Sequence, residues 1–359
     1  MINYSHGDLL NERVDAIVNT VNTEGVSGKG IALQFKLRFP QNYAAYRAAA
    51  KRGEIVLGKV FPVPTALLDG PRWIINFPTK GHWKSRSRLS DIDKGLSDLV
   101  RLVRELDIKS IAVPPLGCGN GGLQWRDVRP MMEAKLGALD DVVVHLYAPE
   151  GAPAPEAMRV TTGKPRMTIG RATLIIALEN YVAVADGASR LVVQKLGYLL
   201  QVGGVPLRLS FSKAQYGPYA EQLNFVLQAM EGHYTVGYGD RSTPSPLQLL
   251  PSASGEAREY LAKRPELLEA VNKVAALVDG LESPYGLELL TTVHYLTVYD
   301  AEPATSFEEV AQRVRDWSDR KGQLFQDQHI RVALNRLRSL GWLPDWNESD
   351  LESDAPHST

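Results

Sequence analysis

The stretch PLGCGNGG at residues 115–122, together with GKGIAL at residues 28–33, is the most informative feature of this chain. Each stretch follows a β-branched, strand-like run, at residues 110–113 and 16–19, and leads into a helical pattern. Glycine lets the main chain approach a ligand where a Cβ would clash, and backbone N–H groups at helix N-termini attract phosphate. Two such loops at strand ends of one α/β unit predict a diphosphate held from both sides.

Composition limits the fold class and the compartment. With 359 residues and 44% hydrophobic side chains, the chain is long enough for two domains that each bury a core. Cys118 is the only cysteine, which excludes an internal disulfide and a zinc site built on paired cysteines. The first residues lack a secretory pattern and no apolar run is long enough to span a membrane, so we expect a soluble, cytoplasmic protein.

The charge is unevenly distributed along the chain. Residues 1–155 carry 20 Lys and Arg against 16 Asp and Glu, a net charge of +4, whereas residues 156–359 carry 20 against 25, a net charge of −5. This asymmetry is either scatter on solvated surfaces, or a basic half that meets nucleic acid beside an acidic half that does not.

A Pro- and Gly-rich linker at residues 149–156 separates two regions. Before it, strand-like runs alternate with helical patterns, of which residues 90–106 are the clearest, with Ser90 as the predicted N-cap. Such alternation predicts an α/β domain over residues 1–148, built on a largely parallel sheet. The predicted strands are residues 14–19, 59–63, 72–77, 110–113 and 142–147.

Helical patterns dominate residues 157–344. The predicted helices are residues 188–201, 220–230, 256–281, 285–298, 306–317 and 326–340. A helix that ends near Gly341 before a few apolar residues is typical either of a winged-helix-like element or of an ordinary helix with a glycine stop. The tail at residues 345–359 has five acids and few apolar groups, so we expect it to be disordered.

Short motifs at the predicted strand ends resemble those of the macrodomain family, which binds ADP-ribose. They are GDLL at residues 7–10, NTVN at residues 19–22 and the two glycine loops, and the resemblance covers about residues 1–148. It implies a three-layer α/β/α sandwich. The implied ADP-ribose contacts are Asp8 and Leu9 on the adenine side, Ile31, Ala32, Leu33, Gly117, Cys118, Gly119, Asn120 and Gly121 around the diphosphate, and Thr20, Val21, Asn22 and Thr79 near the distal ribose. From spacing alone, Asp8 is equally typical of a turn, and Asn22 of a structural loop residue.

NFPTKGHWKSRSRLSDI at residues 76–92, combined with PLGCGNGGLQW at residues 115–125, is similar to macrodomain antitoxins that act against the toxin DarT. The resemblance implies a DNA ADP-ribosyl glycohydrolase that removes ADP-ribose from a modified base, thymine, in single-stranded DNA. It also implies that residues 157–344 bind and inhibit DarT. No cofactor or metal is expected. Two rival functions stay open at this point: a reader that binds ADP-ribose without turnover, and an antitoxin that acts by protein contact alone.

The same resemblance gives Lys80 the catalytic role. Cleavage of an N-glycosidic bond needs a nucleophile or a stabiliser of an oxocarbenium-like state; a lysine is a nucleophile when neutral, and an acid or electrostatic stabiliser when charged. Lys80 follows the apolar run at residues 73–77, where partial burial would lower its pKa. Taken alone, a lysine after a strand is typical of an ordinary surface residue. A related glycohydrolase has an aspartate in its second loop, where this chain has Asn120, which cannot exchange a proton at neutral pH.

Cations and an aromatic residue follow Lys80: His82, Trp83, Lys84, Arg86 and Arg88. They suit single-stranded DNA, whose phosphates need positive charge and whose unstacked bases need a platform. The alternative is a solvated loop with Trp83 tucked against the domain.

The second region offers contact residues rather than a catalytic constellation. Its histidines at positions 233, 294 and 329 lack metal-ligand spacing. Tyr216 and Tyr219 lie in a turn-rich stretch and are candidates for partner contact or for core packing. The net charge of −5 suggests the hypothesis that this region occupies a toxin groove built for DNA.

Overall fold

The computed structural model describes residues 1–343 except 66, 68, 69, 150–153, 155, 156, 186 and 242–244. The chain divides into a first unit, Met1–Gly163 with Gly239–Pro244, and a second unit, Lys164–Tyr238 with Ser245–Thr359. Most of the predicted linker and the whole predicted tail, residues 345–359, lie outside the described residues. The domain limits inferred from the sequence stay a prediction; the first unit continues to Gly163 and includes a short segment from the second half of the sequence.

A six-stranded sheet forms the centre of the first unit. Its order is β1-β6-β5-β2-β4-β3, and every neighbouring pair is parallel except β3 and β4. The expected α/β domain on a largely parallel sheet is confirmed. The strands are β1 Ile2–Ser5, β2 Ala16–Asn22, β3 Phe61–Pro64, β4 Trp73–Lys80, β5 Ser110–Val113 and β6 Val143–Tyr147.

Helices cover both faces of this sheet: α1 Ile31–Arg38, α2 Pro40–Lys51, α3 Leu89–Glu105 and α4 Trp125–Leu136. Successive strand residues point to opposite faces. Ala16 and Val18 of β2 therefore belong to the apolar cluster that contains residues of α3 and α4, while Ile17 packs in the cluster that contains Phe35 of α1. The prediction that Ser90 caps its helix is wrong, because α3 begins at Leu89 and Ser90 lies in its first turn.

The second unit is rich in helices, as expected. They are α5 Ile169–Val182, α6 Arg190–Val202, α7 Glu221–Met230, α8 Ala253–Leu261, α9 Pro265–Val278, α10 Pro284–His294, α11 Phe307–Trp317, α12 Asp319–Leu324 and α13 Asp327–Ser339. A π-helical turn, Tyr295–Tyr299, continues α10. A short hairpin pairs β7 Ser212–Ala214 with β8 Gly217–Tyr219, and β9 Thr235–Val236 pairs antiparallel with β10 Gln248–Leu249 further along the chain.

The end of α13 fits the glycine stop rather than the winged-helix-like element. The helix ends at Ser339, and Gly341 has a φ of 71°, the left-handed conformation that favours glycine after a helix. No strand follows it as far as residue 343, where the description stops. Nor is any helix in the described parts of the chain long and apolar enough to cross a membrane.

Candidate active site

The N-terminal end of α1 presents backbone donors at the edge of the sheet. Gly30 is the N-cap, with a φ of 63°, and its carbonyl accepts hydrogen bonds from the N–H groups of Leu33 and Gln34 at 2.9 and 3.2 Å. Within the described part of the chain, the N–H groups of Ile31 and Ala32 have no acceptor. These two donors, at the positive end of the helix dipole, are suited to an anion.

The second glycine loop follows β5 and presents three more donors. Among the described residues, no acceptor binds the N–H groups of Gly119, Asn120 and Gly121. A Cβ at Gly121 would lie 2.2 Å from Ser87 Oγ and 2.5 Å from the Gly117 carbonyl, so this loop can close only with glycine there. Ser87 is buried beneath the loop, and its N–H donates to the Gly121 carbonyl at 2.9 Å.

Lys80 ends β4 between the two loops. Its Nζ donates to the Asn120 carbonyl at 3.0 Å, and burial lowers the pKa of this amine from its ordinary value. Gly30 also lies next to Asn120, since a Cβ at Gly30 would be 3.0 Å from Asn120 Nδ2. The fold thus brings Lys80, the start of α1 and the second loop together, as the strand ends predicted.

Of the four residues expected near the distal ribose, Asn22 uses its side chain within the turn that follows β2. Asn22 Nδ2 donates to the Val26 carbonyl at 2.6 Å, and its Oδ1 accepts from the N–H groups of Glu24 and Val26, so this side chain holds the turn after β2. Val21 and Thr79 are buried, and Thr20 is half-buried. The β2–β4 register shifts at Val21 and Asn22, which places Asn22 opposite Lys80. Their ribose contacts stay predictions.

Asp8 caps a 3₁₀ turn, Leu9–Asn11, on the far side of α1. Its two carboxylate oxygens accept from Leu10 N–H at 2.9 Å and Asn11 Nδ2 at 2.7 Å. Leu9 packs in the core. A crevice beside Asp8 is lined by Gln34 and Arg38 of α1 and by Met158 and Arg159. Asp8 is therefore the turn residue that its spacing allowed, and it also borders a crevice; its adenine contact stays a prediction.

Cys118 lies in the second loop without nucleophilic character. Burial raises the pKa of its thiol to about 11, so it stays protonated at neutral pH. Within the described residues, no group of three His, Cys, Asp or Glu side chains is placed to hold a metal ion.

The loop after Lys80 exposes its basic and aromatic side chains. Trp83 is 46% exposed, so part of its indole is accessible to solvent. The His82 ring stacks on it with centroids 5.5 Å apart, and Lys84 Nζ lies 4.8 Å from the indole centre. Arg86 and Arg88 are also exposed. The five predicted DNA contacts thus share one accessible loop beside Lys80, and their binding role stays a prediction.

The sequence patterns did not indicate the buried polar residues that link β2, β4 and α2 next to the site. Asn19, Asn42 and Asn76 form a buried amide network across β2, β4 and α2, with hydrogen bonds of 2.8 to 3.3 Å. Tyr46 Oη donates to the Asn22 carbonyl at 2.6 Å, and burial raises the pKa of this phenol. Asparagines inside the apolar runs of β2 and β4 were the available signal, because a buried amide needs partners.

In the second unit, the buried side chain of Lys195 contacts the β7–β8 hairpin. Lys195 Nζ donates to the Pro218 carbonyl at 2.9 Å, and burial lowers the pKa of this amine to about 7. Tyr219 Oη accepts from Asn224 Nδ2 at 2.6 Å, whereas Tyr216 is 36% exposed beneath the Arg320 guanidinium. Of the two predicted contact tyrosines, Tyr216 is the accessible one.

Known proteins that are similar to this chain include macrodomain proteins and DNA ADP-ribosyl glycohydrolases. The family model of the Macro domain matches residues 18–132. A DNA ADP-ribosyl glycohydrolase from Thermus aquaticus is 44% identical over 97% of this chain and 96% of its own length. A DNA ADP-ribosyl transferase–DNA ADP-ribosyl glycohydrolase fusion protein from Thermosipho africanus is 37% identical over 40% of this chain and 40% of its own length. The solved macrodomain of Mycobacterium tuberculosis DarG is 56% identical over 42% of this chain and 99% of that structure, with a TM-score of 0.41.

Proposed function

Because this chain belongs to the DNA ADP-ribosyl glycohydrolase family, DarG, we propose that its first unit holds ADP-ribose between the two glycine loops while Lys80 acts on the bond to the modified base. The enzyme class follows from the family: a hydrolase of ADP-ribosyl glycosidic bonds that serves as an antitoxin. The assignment of the residues is our proposal.

One observation carries it. Five backbone N–H groups without acceptors in the described chain, at Ile31, Ala32 and residues 119–121, flank the Lys80 amine. Backbone donors suit the diphosphate, whose charge they bind without a change of protonation. The amine, held on the Asn120 carbonyl at 3.0 Å, is the titratable group at this junction.

Burial lowers the pKa of Lys80 and so raises the neutral, nucleophilic fraction of its amine. As a nucleophile, the neutral amine attacks the anomeric carbon, a C–N bond to Lys80 forms, and the bond to the base breaks. The base leaves with the bonding electron pair and takes the proton that the newly bonded, cationic Lys80 nitrogen gives up. One water then attacks the same carbon: its oxygen goes to ADP-ribose, its proton goes to the Lys80 nitrogen, and the C–N bond breaks to return the neutral amine. Residues 119–121 of the second loop contain no carboxylate, so the proposed second step does not use a carboxylate from this loop.

We propose single-stranded DNA modified on thymine as the substrate. The exposed loop at residues 82–88 supports this, since its indole offers a stacking face and its cations can meet phosphates on either side of a flipped base.

We further propose that the second unit binds the transferase toxin DarT. The Thermosipho protein, named as a transferase fused to a glycohydrolase, supports a functional pairing of the two activities. The net charge of −5 after residue 155 supports contact with a surface that otherwise accepts DNA.

The test is release of ADP-ribose from a modified single-stranded oligonucleotide. Lys80→Ala in the full chain is expected to abolish release and to leave affinity for free ADP-ribose within about threefold, because the backbone donors remain. Lys51→Ala, at an exposed position of α2, is the matched control. Unchanged turnover in Lys80→Ala would remove Lys80 from the mechanism. Binding without any release by the wild type would favour a reader.

A further inference from the structure

Both ends of α1 are fixed by segments that lie outside the residues matched by the Macro domain model, 18–132. At the C-terminal end, Thr161 N–H donates to the Leu37 carbonyl at 3.0 Å and Thr161 Oγ1 to the Arg38 carbonyl at 2.7 Å. At the N-terminal end, the Asp240 carbonyl accepts from Gly30 N–H at 2.7 Å. Both segments belong to the first unit.

Asp240 makes the more consequential contact, because it lies at the end of α1 that carries the open donors. It is 2% exposed, and its Oδ2 accepts from Gln34 Nε2 at 2.6 Å. Gln34 is itself buried in the first turns of α1. One residue thus binds both the N-cap backbone and a side chain of the helix, where Gly30 has no side chain of its own for capping.

We propose that Asp240 is a positioning residue for ADP-ribose binding, which rests on the function proposed above. It fixes Gly30 and the first turn of α1, so that the N–H groups of Ile31 and Ala32 point to the diphosphate before the ligand arrives. A glycine loop has much conformational freedom to lose, and ordering it at the moment of binding weakens affinity. The Asp240 carbonyl accepts from Gly30 N–H, and among the described residues the N–H groups of Ile31 and Ala32 stay open to the ligand.

The hydrogen bond to Gln34 is what a substitution can remove. Asp240→Ala deletes the carboxylate and leaves the Gln34 amide buried without this partner. Asp240→Asn keeps an oxygen in the same place as an acceptor. The two variants therefore separate a positioning contact from a simple effect of charge. Gln34→Met breaks the same contact from the side of α1.

The experiment measures affinity for free ADP-ribose and turnover on modified single-stranded DNA, with the full-length protein. Asp240→Ala and Gln34→Met are each expected to weaken ADP-ribose binding by about tenfold, and the double variant by clearly less than the product of the two losses, because both substitutions remove the same Gln34–Asp240 hydrogen bond. The rate at saturating substrate should stay near wild type, so the loss appears in KM and not in kcat. Asp240→Asn should restore affinity to within about twofold. Asp140→Ala, at an exposed position of the same unit, is the control.

Backbone amide exchange gives an independent readout, since Gly30, Ile31 and Ala32 should exchange faster in Asp240→Ala while β4 stays protected. Unchanged or tighter ADP-ribose binding in Asp240→Ala would overturn the proposal, as would an equal loss in Asp240→Asn. A wild-type protein that fails to bind ADP-ribose would instead overturn the function on which the proposal rests.

Discussion

Replacing Glu288 with alanine is expected to destabilise the second unit by about 3–5 kcal/mol. Glu288 is 6% exposed, and its Oε1 accepts from Lys321 Nζ at 2.5 Å and from Arg320 Nη1 at 2.7 Å. Lys321 is fully buried, against the rings of Trp317 and Phe325. Without the carboxylate, a buried ammonium loses its counter-charge.

Two routes lead to a similar magnitude. Removal of one partner from a buried ion pair typically costs about 3–5 kcal/mol. Lys321 can escape that cost by losing its proton, but deprotonating an amine of ordinary lysine pKa at about pH 7.5 costs about 4 kcal/mol. The pKa of Lys321 is lowered overall, because the effect of burial is larger than the opposing effect of the hydrogen bond to Glu288. Either loss is a large share of the roughly 5–15 kcal/mol that holds a typical domain folded.

Urea unfolding of the full chain measures this loss, with Glu259→Ala, an exposed position of α8, as the control. The double variant Glu288→Ala/Lys321→Met should recover at least half of the lost stability, because it removes the uncompensated amine. Glu288→Ala should keep ADP-ribose release, because the proposed release site lies in the first unit. A loss below about 1 kcal/mol, or a double variant no more stable than Glu288→Ala, would show that the Glu288 carboxylate does not compensate the buried Lys321 charge.

Two further outcomes test the titration of the second unit and the loop beside Lys80. Burial lowers the pKa of His294 from 6.5 to about 4. Between pH 6.5 and pH 4 the native state therefore binds fewer protons than the unfolded chain. The free energy of unfolding should fall by up to about 3 kcal/mol as the pH drops through this range. His294→Asn should flatten this dependence in unfolding measurements; parallel pH profiles for the two proteins would contradict it. Trp83→Ala should raise the KM for modified single-stranded DNA by about tenfold, which is the size of one lost base-stacking contact. Its affinity for free ADP-ribose should not change. An equal loss of affinity for DNA and for ADP-ribose would place Trp83 in the ADP-ribose site instead.

The sequence carried most of the information on the first unit. Alternating strand-like and helical runs predicted the parallel sheet, and parallel strands place their carboxyl ends at one edge, which is why Lys80 and both glycine loops could be expected together. The helix at residues 90–106 was predicted to within one residue at each end, yet its cap was not, because a serine near a helix start is equally compatible with the first turn.

The contacts that position the site were beyond the reach of pattern reasoning. Asp240 lies 206 residues from Gln34, and no periodicity links such positions. Ser87 looks like one polar residue in a basic loop, whereas the fold buries it under Gly121. Asn22 had two interpretations, and its occupied amide could be recognised only once the turn at residues 22–26 was known.

The proposed site divides two tasks between groups of different chemistry. In this proposal, backbone N–H groups hold the diphosphate. These donors do not titrate, so affinity should depend on how firmly the loops are ordered. Bond cleavage would depend instead on the Lys80 amine, whose pKa is lowered by burial at the end of β4. Because the Asn120 carbonyl binds that amine and Asn120 also borders Gly30, disorder in either loop would displace the amine as well as the phosphate donors. Substitutions at Lys80 should therefore separate binding from turnover, while substitutions inside the glycine loops, such as Gly121→Ala, should lose both.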